Sequence, residues 1–328
     1  MRLSISVSSL TIAMLVLALT EPVTRVAWAV SDPLSLAQSL TTLAAHPRMT
    51  ASADLEARLP RRQPLYLDCD GLAFNHSLFD DPNRNQPLAA LLSPLAAQQL
   101  EVMARFFDVL LADLRFASES EAMAVAYIQF DRASVRRQLG QVSELRVLEL
   151  ETVYQDLLHR RAASEIGQQW SRSLLAQALG QPEDVPRNLT EPILPTLPHE
   201  LPTLDALLAG AADAPTARAL GQDRPESERA LIRMELRQQI LELLLRLKAL
   251  AAAEQSVRTE STWRDLKLDE SRTLYDQEVT ADLGYSMSQQ TQTRLLEKRL
   301  AYCQALTWAE LNALADQPLW ALTPRDEP

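Results

Sequence analysis

The sequence is short of glycine, aromatic residues and cysteine. Among 328 residues there are 7 glycines and 2 cysteines, and aromatic side chains make up 5%. Average proteins contain roughly 7% glycine. Glycine supplies the positive-φ positions that tight turns and phosphate-binding loops need. The shortage argues against folds built on many such turns and favours long helices joined by few turns.

An excess of positive charge is also missing. The chain has 32 Lys and Arg residues against 43 Asp and Glu residues, a formal net charge of −11. Proteins that bind nucleic acid need a basic surface for the phosphate backbone. Nucleic acid is therefore not an expected partner. The hydrophobic fraction of 47% is ample for a core, so we expect the chain to fold.

Recognisable catalytic and metal-binding motifs are lacking too. His199-Glu200 begins like a zinc motif, but Pro202 breaks the helix on which such a motif depends. The acidic run from Asp68 to Asp81 does not have calcium-loop spacing, and we expect a solvated loop there. We therefore expect no enzyme, no cofactor and no metal site. The four histidines are scattered: His46, His76, His159 and His199.

The N-terminus has the order of a secretory signal peptide. Arg2 precedes a mainly apolar stretch from Ser8 to Leu19, and Ala27-Trp28-Ala29 has the small-residue pattern of a cleavage site. The apolar stretch is shorter than the roughly 20 residues that span a bilayer. We predict cleavage after Ala29, with an uncleaved anchor as the alternative.

Proline and glycine divide the rest of the chain into helical blocks. Two proline-rich segments, 58–94 and 182–202, are predicted to be loops or extended connectors. Between and after them, apolar residues recur at spacings of three and four, which is typical of helices with one buried face. The predicted long helices are 95–139, 145–179, 227–277 and one that ends near Ala315.

The two halves of the chain repeat each other. A shift of 168 places Leu36, Leu40, Ala44 and Pro47 on Leu204, Leu208, Ala212 and Pro215, and a shift of 138 places 145–170 on 283–308. The predicted domains are a signal peptide (1–29), repeat 1 (30–181), a proline-rich linker (182–202), repeat 2 (203–316) and a tail (317–328). The predicted fold class is all-α, with two tandem long antiparallel helical hairpins, short flanking helices and little or no β structure.

This arrangement resembles the outer-membrane efflux proteins of the TolC type. The hairpin turn of that family typically has a glycine, then a small hydroxyl residue, an acidic or polar residue and an apolar one. The segment from Gly140 to Leu145 fits this pattern, and 278–283 fits it without the glycine. The resemblance implies a homotrimer whose hairpins form a hollow periplasmic cylinder. It also implies outer-membrane association and export of small molecules or proteins with a periplasmic adaptor and an inner-membrane transporter.

In this picture the two hairpin turns lie at the periplasmic tip, where the adaptor docks and the tunnel narrows. The acidic side chains there either charge the tunnel entrance or are ordinary turn residues exposed to water. The resemblance points to these tip residues: Gly140, Val142, Ser143, Glu144, Asp276, Val279, Thr280 and Asp282.

The sequence departs from the family where membrane strands would be. The segment 215–227 cannot hold two membrane strands of about 9–11 residues each, and 60–94 offers one plausible short strand, Leu65–Asp70. We therefore expect most or all of the β-barrel strands to be missing. A non-conducting periplasmic coiled-coil scaffold is the alternative to a conduit.

The sequence also predicts the roles of the two cysteines and of the large aromatic residues. Helix lengths place Cys69 and Cys303 some 40 Å apart, so we predict no disulfide between them. Trp170 and Trp308, which are equivalent in the repeat, are expected to be packing residues. The same expectation holds for the aromatic residues of the first long helix: Phe106, Phe107, Phe116 and Tyr127.

Overall fold

A computed structural model describes residues 32–74, 88–277 and 283–319. This part of the chain contains no β-strand, and a single isolated bridge joins Leu34 to Leu189. The short helices are α1 (Leu36–Thr41), α2 (Ala53–Arg58), α3 (Cys69–Phe74), α4 (Leu88–Leu91), α7 (Leu204–Asp213) and α8 (Pro215–Gly221). The long helices are α5 (Pro94–Gln138), α6 (Glu144–Ala178), α9 (Glu226–Asp276) and α10 (Leu283–Leu314).

The long helices confirm the predicted all-α fold of two antiparallel hairpins, α5 with α6 and α9 with α10. Their ends follow local rules. Ser93 caps α5 by accepting a hydrogen bond from the Ala96 N–H, with proline in the first turn, and Ser143 caps α6 in the same way. Because such signals are local, the predicted boundaries are correct to about one residue.

The opening helix of each half follows the predicted repeat. Ser35 caps α1 and Thr203 caps α7, two positions that differ by the shift of 168. A proline then begins a new turn at Pro47 and at Pro215, where α8 starts. The sequence repeat is therefore also a repeat of local structure.

The four long helices form one layer. α6 packs on α5, α5 packs on α10, and α10 packs on α9. α6 and α9 are thus the two edges of the layer, and each has a long neighbour on one side only. The hydrophobic core lies in the upper half, at the end of the layer away from the hairpin turns. There α5 is buried on nearly every side from Val102 to Ala112.

The two hairpins end at different levels. Gly284, at the start of α10, packs against the Val125 side chain of α5. Gly140, in the first turn, lies 15 residues further along the same helix direction, about 20 Å below the level of Gly284. The first turn therefore extends beyond the start of α10, whereas the sequence predicted that both hairpins end at one tip.

Candidate functional site

The first hairpin turn is closed by hydrogen bonds and one ion pair. Gly140 has φ +70°, and its N–H and that of Gln141 donate to the carbonyls of Arg137 and Arg136, which ends α5 in a left-handed glycine cap. Glu144 is exposed and pairs with Arg137 at 3.1 Å. The predicted tip residues 140–144 therefore form one compact, water-exposed turn.

The second turn is described only at its rims. α9 ends at Asp276 and α10 begins at Leu283. The predicted residues Val279, Thr280 and Asp282 lie outside the described residues. The grouping of the eight predicted tip residues therefore stays a prediction.

The outer edge of α9 carries a stripe of exposed apolar side chains. Their positions fall within about 100° around the helix axis. The stripe points away from α10, because the buried side chains of α9, such as Ile240 and Leu247, lie on the other side. The exposed residues of this α9 stripe are Leu231, Met234, Leu245, Trp263 and Leu266.

The other edge of the layer, α6, carries a similar stripe. Its members Leu145, Leu148, Ile166 and Trp170 fall within about 60° around the axis. The two stripes overlap in height near Ile166 and Trp263, while Leu145 and Leu148 lie below this level and Leu231 and Met234 lie above it. Tracing the contacts from α6 across α5 and α10 to α9 places Ile166 level with Trp263, within about 5 Å. Ile166 is 64% exposed and Trp263 52%, so both edges offer apolar surface at the same level.

A short segment crosses the layer in its upper half. We call residues 61–74 the belt. The Asp108 carboxylate of α5 accepts hydrogen bonds from the backbone N–H groups of Leu65, Tyr66 and Leu67, at 2.8, 2.6 and 3.0 Å. Arg105, one turn earlier, donates to the Gln63 carbonyl at 2.9 Å. Burial raises the pKa of the Asp108 carboxyl, while the three backbone donors oppose that rise.

The belt also reaches the other three long helices. The Tyr66 side chain lies against Gly167 of α6, where a Cβ atom would fall 1.8 Å from its hydroxyl oxygen. Arg299 of α10 donates to the Asp68 carbonyl, and Arg246 of α9 pairs with Asp70 at 2.8 Å. One segment of fourteen residues therefore contacts all four helices of the layer.

A disulfide joins the belt to α10, so the prediction of two separate cysteines was wrong. Cys69 and Cys303 are bonded, with their Cα atoms 5.3 Å apart. The prediction erred twice. It placed both hairpins at one level, although Gly284 at the start of α10 lies about 20 Å above Gly140. It also left Cys69 at the top of α5, although the belt returns along α5 to the level of Asp108, about 20 Å lower.

The acidic stretch of the belt is not the solvated loop that we expected. Cys69–Phe74 is helical, and Asp70 forms a largely buried ion-paired cluster with Arg246 and Glu310. Arg246 contacts both carboxylates, at 2.8 and 2.7 Å. Burial raises the pKa of Glu310, and Asp70 adds to the rise, while Arg246 opposes it.

A cavity of about 460 Å³ opens beside the belt, between α5 and α9. Charged side chains of both signs line it. Ion pairs in its wall join Arg246 to Asp70 and Glu310, and Arg61 to Glu101 at 3.1 Å. Across the described residues, no group of three or more His, Cys, Asp or Glu side chains is placed to hold a metal ion.

The predicted packing residues have different surroundings. Phe106 and Phe107 are fully buried, and Phe107 stacks on Tyr302 of α10 with ring centroids 4.6 Å apart. Trp308 packs against the core, whereas its repeat equivalent Trp170 is half exposed on the α6 edge. The packing role predicted for Trp170 is therefore not fulfilled within a single chain.

The fold is similar to that of solved membrane proteins, although the sequence alone finds no relative. No protein-family model matches the sequence, and no curated protein matches it. Among solved structures, CusC, whose crystal structures concern folding and transmembrane channel formation, matches with a TM-score of 0.54 at 13% identity, over 85% of this chain and 96% of that chain. The chain has the fold of a TolC-type efflux protein. A membrane protein from Pseudomonas aeruginosa matches over 69% of each chain, at 14% identity and a TM-score of 0.48.

The resemblance that the sequence suggested is thus confirmed at the level of the fold. The TolC-type fold here is carried by the four long helices, whose pairing matches the prediction. Within residues 32–74, 88–277 and 283–319, no helix combines the length and the apolarity needed to cross a bilayer.

Proposed function

We propose that this protein is a component of a periplasmic and outer-membrane efflux conduit, built from several copies of the chain. The observation that carries the proposal is the layer with two open edges, which each expose an apolar side chain at the same level, Ile166 on α6 and Trp263 on α9. Apolar stripes of this length are costly to leave in water and mark association surfaces. Because the two edges differ, contact between α6 of one copy and α9 of the next is heterologous and can close into a ring.

Three copies are the number that the resemblance implies. A trimer would place twelve long helices side by side in a hollow cylinder, with the hairpin turns at one end. In this proposal an adaptor and an inner-membrane transporter supply the cargo, which is a small molecule or a protein. The mature chain would begin after Ala29, following removal of the signal peptide.

Cell fractionation and native mass spectrometry together test this function. The proposal expects the protein in the outer-membrane fraction, and a purified assembly with three times the mass of the processed chain. Recovery as a soluble periplasmic monomer would contradict the conduit and support the non-conducting scaffold instead.

For the tip residues, we propose that the first turn docks the adaptor. Gly140 lies about 20 Å beyond the start of α10, and Gly140, Ser143 and Glu144 are exposed. Exchange of Val142 and Glu144 for alanine should therefore reduce export in cells that depend on this protein, while the trimer mass stays unchanged. Asp276→Ala with Asp282→Ala tests whether the second turn charges the tunnel entrance. Unchanged export in both cases would contradict these roles.

A further inference from the structure

The layer of long helices is covered on both faces, by two different segments. On α5, Asp108 binds the belt. Asp113 lies five residues further on, about 140° around the helix, and pairs with Arg172 of α6 at 2.8 Å. The Arg172 guanidinium also donates to the Arg187 carbonyl, in the proline-rich linker 182–202. The belt and the linker therefore approach α5 and α6 from opposite sides.

The same separation recurs on α10. Cys303 is bonded to the belt, and Lys298, again five residues away, pairs with Glu191 of the linker. Five residues correspond to about 140° around a helix. The belt and the linker thus lie on opposite faces of α10 as well.

On α9 the contacts with the belt and with the linker side are separated most clearly. Arg246 pairs with Asp70 of the belt, whereas Arg237 pairs with Asp205 of α7. Nine residues separate the two arginines, so they point to opposite sides of the helix, about 180° apart. α1 lies on the linker side, because Leu34, two residues before it, exchanges backbone hydrogen bonds with 188–190. One face therefore carries the belt, and the other carries the linker with α1 and α7.

If the layers of three copies close into a ring, only one of the two covering segments, the belt or the linker with its helices, fits inside the ring. Twelve helices spaced by about 9 Å form a circle with a radius of about 17 Å through their axes, which leaves a free inner radius of about 12 Å. A second layer of helices is itself about 10–12 Å thick. The linker side carries the linker, α1 and the ten-residue α7, whereas the belt side carries a non-helical segment and one six-residue helix. We therefore place the thinner cover, the belt, inside the ring and the linker face outside.

We propose that the three belts line the bore and constrict it, about 50 Å above the first hairpin turn. This inference rests on the proposed ring. The belt is a single non-helical segment from 61 to 68, with a bend at Leu65 and Tyr66, and a short helix from Cys69 to Phe74. The disulfide and the buried contacts of Asp108 and Arg246 hold it against the wall. The constriction is therefore fixed to the helices and narrows the cylinder far from its tips.

Distances between spin labels in the assembled protein test which face lies inside. One label goes on the belt, as Gln63→Cys, since this side chain is exposed. A matched control goes on α7, as Asp205→Cys, whose side chain is 91% exposed. Labelling is done without reducing agent, so that the native disulfide stays intact. For three belts in the bore, the geometry predicts label distances between copies below about 25 Å at position 63 and above about 40 Å at position 205.

The outcomes separate this inference from the proposed function. Long distances at position 63 and short distances at position 205, in an assembly with trimer mass, would overturn the constriction and leave the ring in place. A monomer with no dipolar coupling at either position would overturn the ring and the constriction together. Short distances at position 63 alone, in a trimer, support both.

Discussion

The upper and lower halves of the layer are stabilised in different ways. In the upper half, α5 is buried between the belt on one face and the linker with α1 on the other, and charged groups are satisfied inside the protein. In the lower half the long helices pack only against neighbouring long helices, and Leu145, Leu148 and Trp263 are exposed to water. The difference shows that one chain alone completes the core of the upper half. The lower half, like the outer edge of α9 at Leu231 and Met234, offers surface that only further copies or partners can cover.

The largest expected effect comes from Asp108 in the upper half. Asp108→Ala removes the buried acceptor of three backbone N–H groups and leaves these donors unsatisfied, so the free energy of unfolding should fall by about 3–5 kcal/mol. Urea denaturation of the purified protein measures this. The control is Asp113→Ala, whose more exposed ion pair with Arg172 contributes at most about 1 kcal/mol. Equal losses for both variants would contradict the special role of the belt.

Arg246 should have the next largest effect. Arg246→Met leaves Asp70 and Glu310 without a cation in a largely buried site, and we expect a loss of about 3 kcal/mol. Arg237→Met on the opposite side of α9 is the matched control, because its ion pair is exposed and 3.8 Å long. That control should change the free energy of unfolding by less than about 0.5 kcal/mol. An unchanged stability of Arg246→Met would show that the cluster does not hold the belt.

Removal of the disulfide should destabilise the same half. The bond joins residues 234 apart in sequence, so it restricts the unfolded chain strongly. We expect Cys69→Ala with Cys303→Ala to lower the free energy of unfolding by about 2–4 kcal/mol. Tryptic cleavage near Arg61 and Arg62 should become faster because the belt is held less firmly. Cleavage at the rate of the native protein would mean that the belt stays in place without the bond.

Changes on the two edges should have little effect on the single chain. Ile166→Ser and Trp263→Ser remove exposed apolar surface, so the free energy of unfolding of the monomer should change by less than about 0.5 kcal/mol. The assembly should nevertheless dissociate, which native mass spectrometry detects. Thr259→Ser, an exposed polar position on α9, is the control and should leave the assembly intact. A stable assembly with both edges changed would contradict the proposed contact.

The smallest effect concerns pH. Burial raises the pKa of Glu310, so the folded protein holds this proton more tightly than the unfolded chain does. The contribution of this group to stability is therefore fully present below the ordinary carboxyl pKa and is lost as the pH rises through the folded pKa. Relative to the native protein, Glu310→Gln should become progressively more stable as the pH rises above the ordinary carboxyl pKa, as measured by urea denaturation. The opposite slope would contradict the assigned direction.

The helices could be predicted from the sequence, but the cover of the upper half could not. The ends of α5 and α6 depend on Ser93, Ser143 and Gly140, which are local signals. The belt depends on contacts between residues far apart in sequence, and on the relative level of two hairpins, which helical periodicity does not specify. Asp108 did offer a signal, because it stands between Phe107 and Val109 on a helix with apolar neighbours. A charge in that setting indicates a buried partner.

Photo-crosslinking from one edge tests the central claim most directly. A benzophenone amino acid replaces Ile166 on α6, and the assembly is formed from a mixture of 15N-labelled and unlabelled chains. Mass spectrometry of the digest should then show links between α6 of one copy and the α9 peptide that contains Trp263 of another, with covalent species up to the trimer. Absence of such links between copies, or links from 166 to 166 alone, would contradict a ring built by joining the α6 edge to the α9 edge.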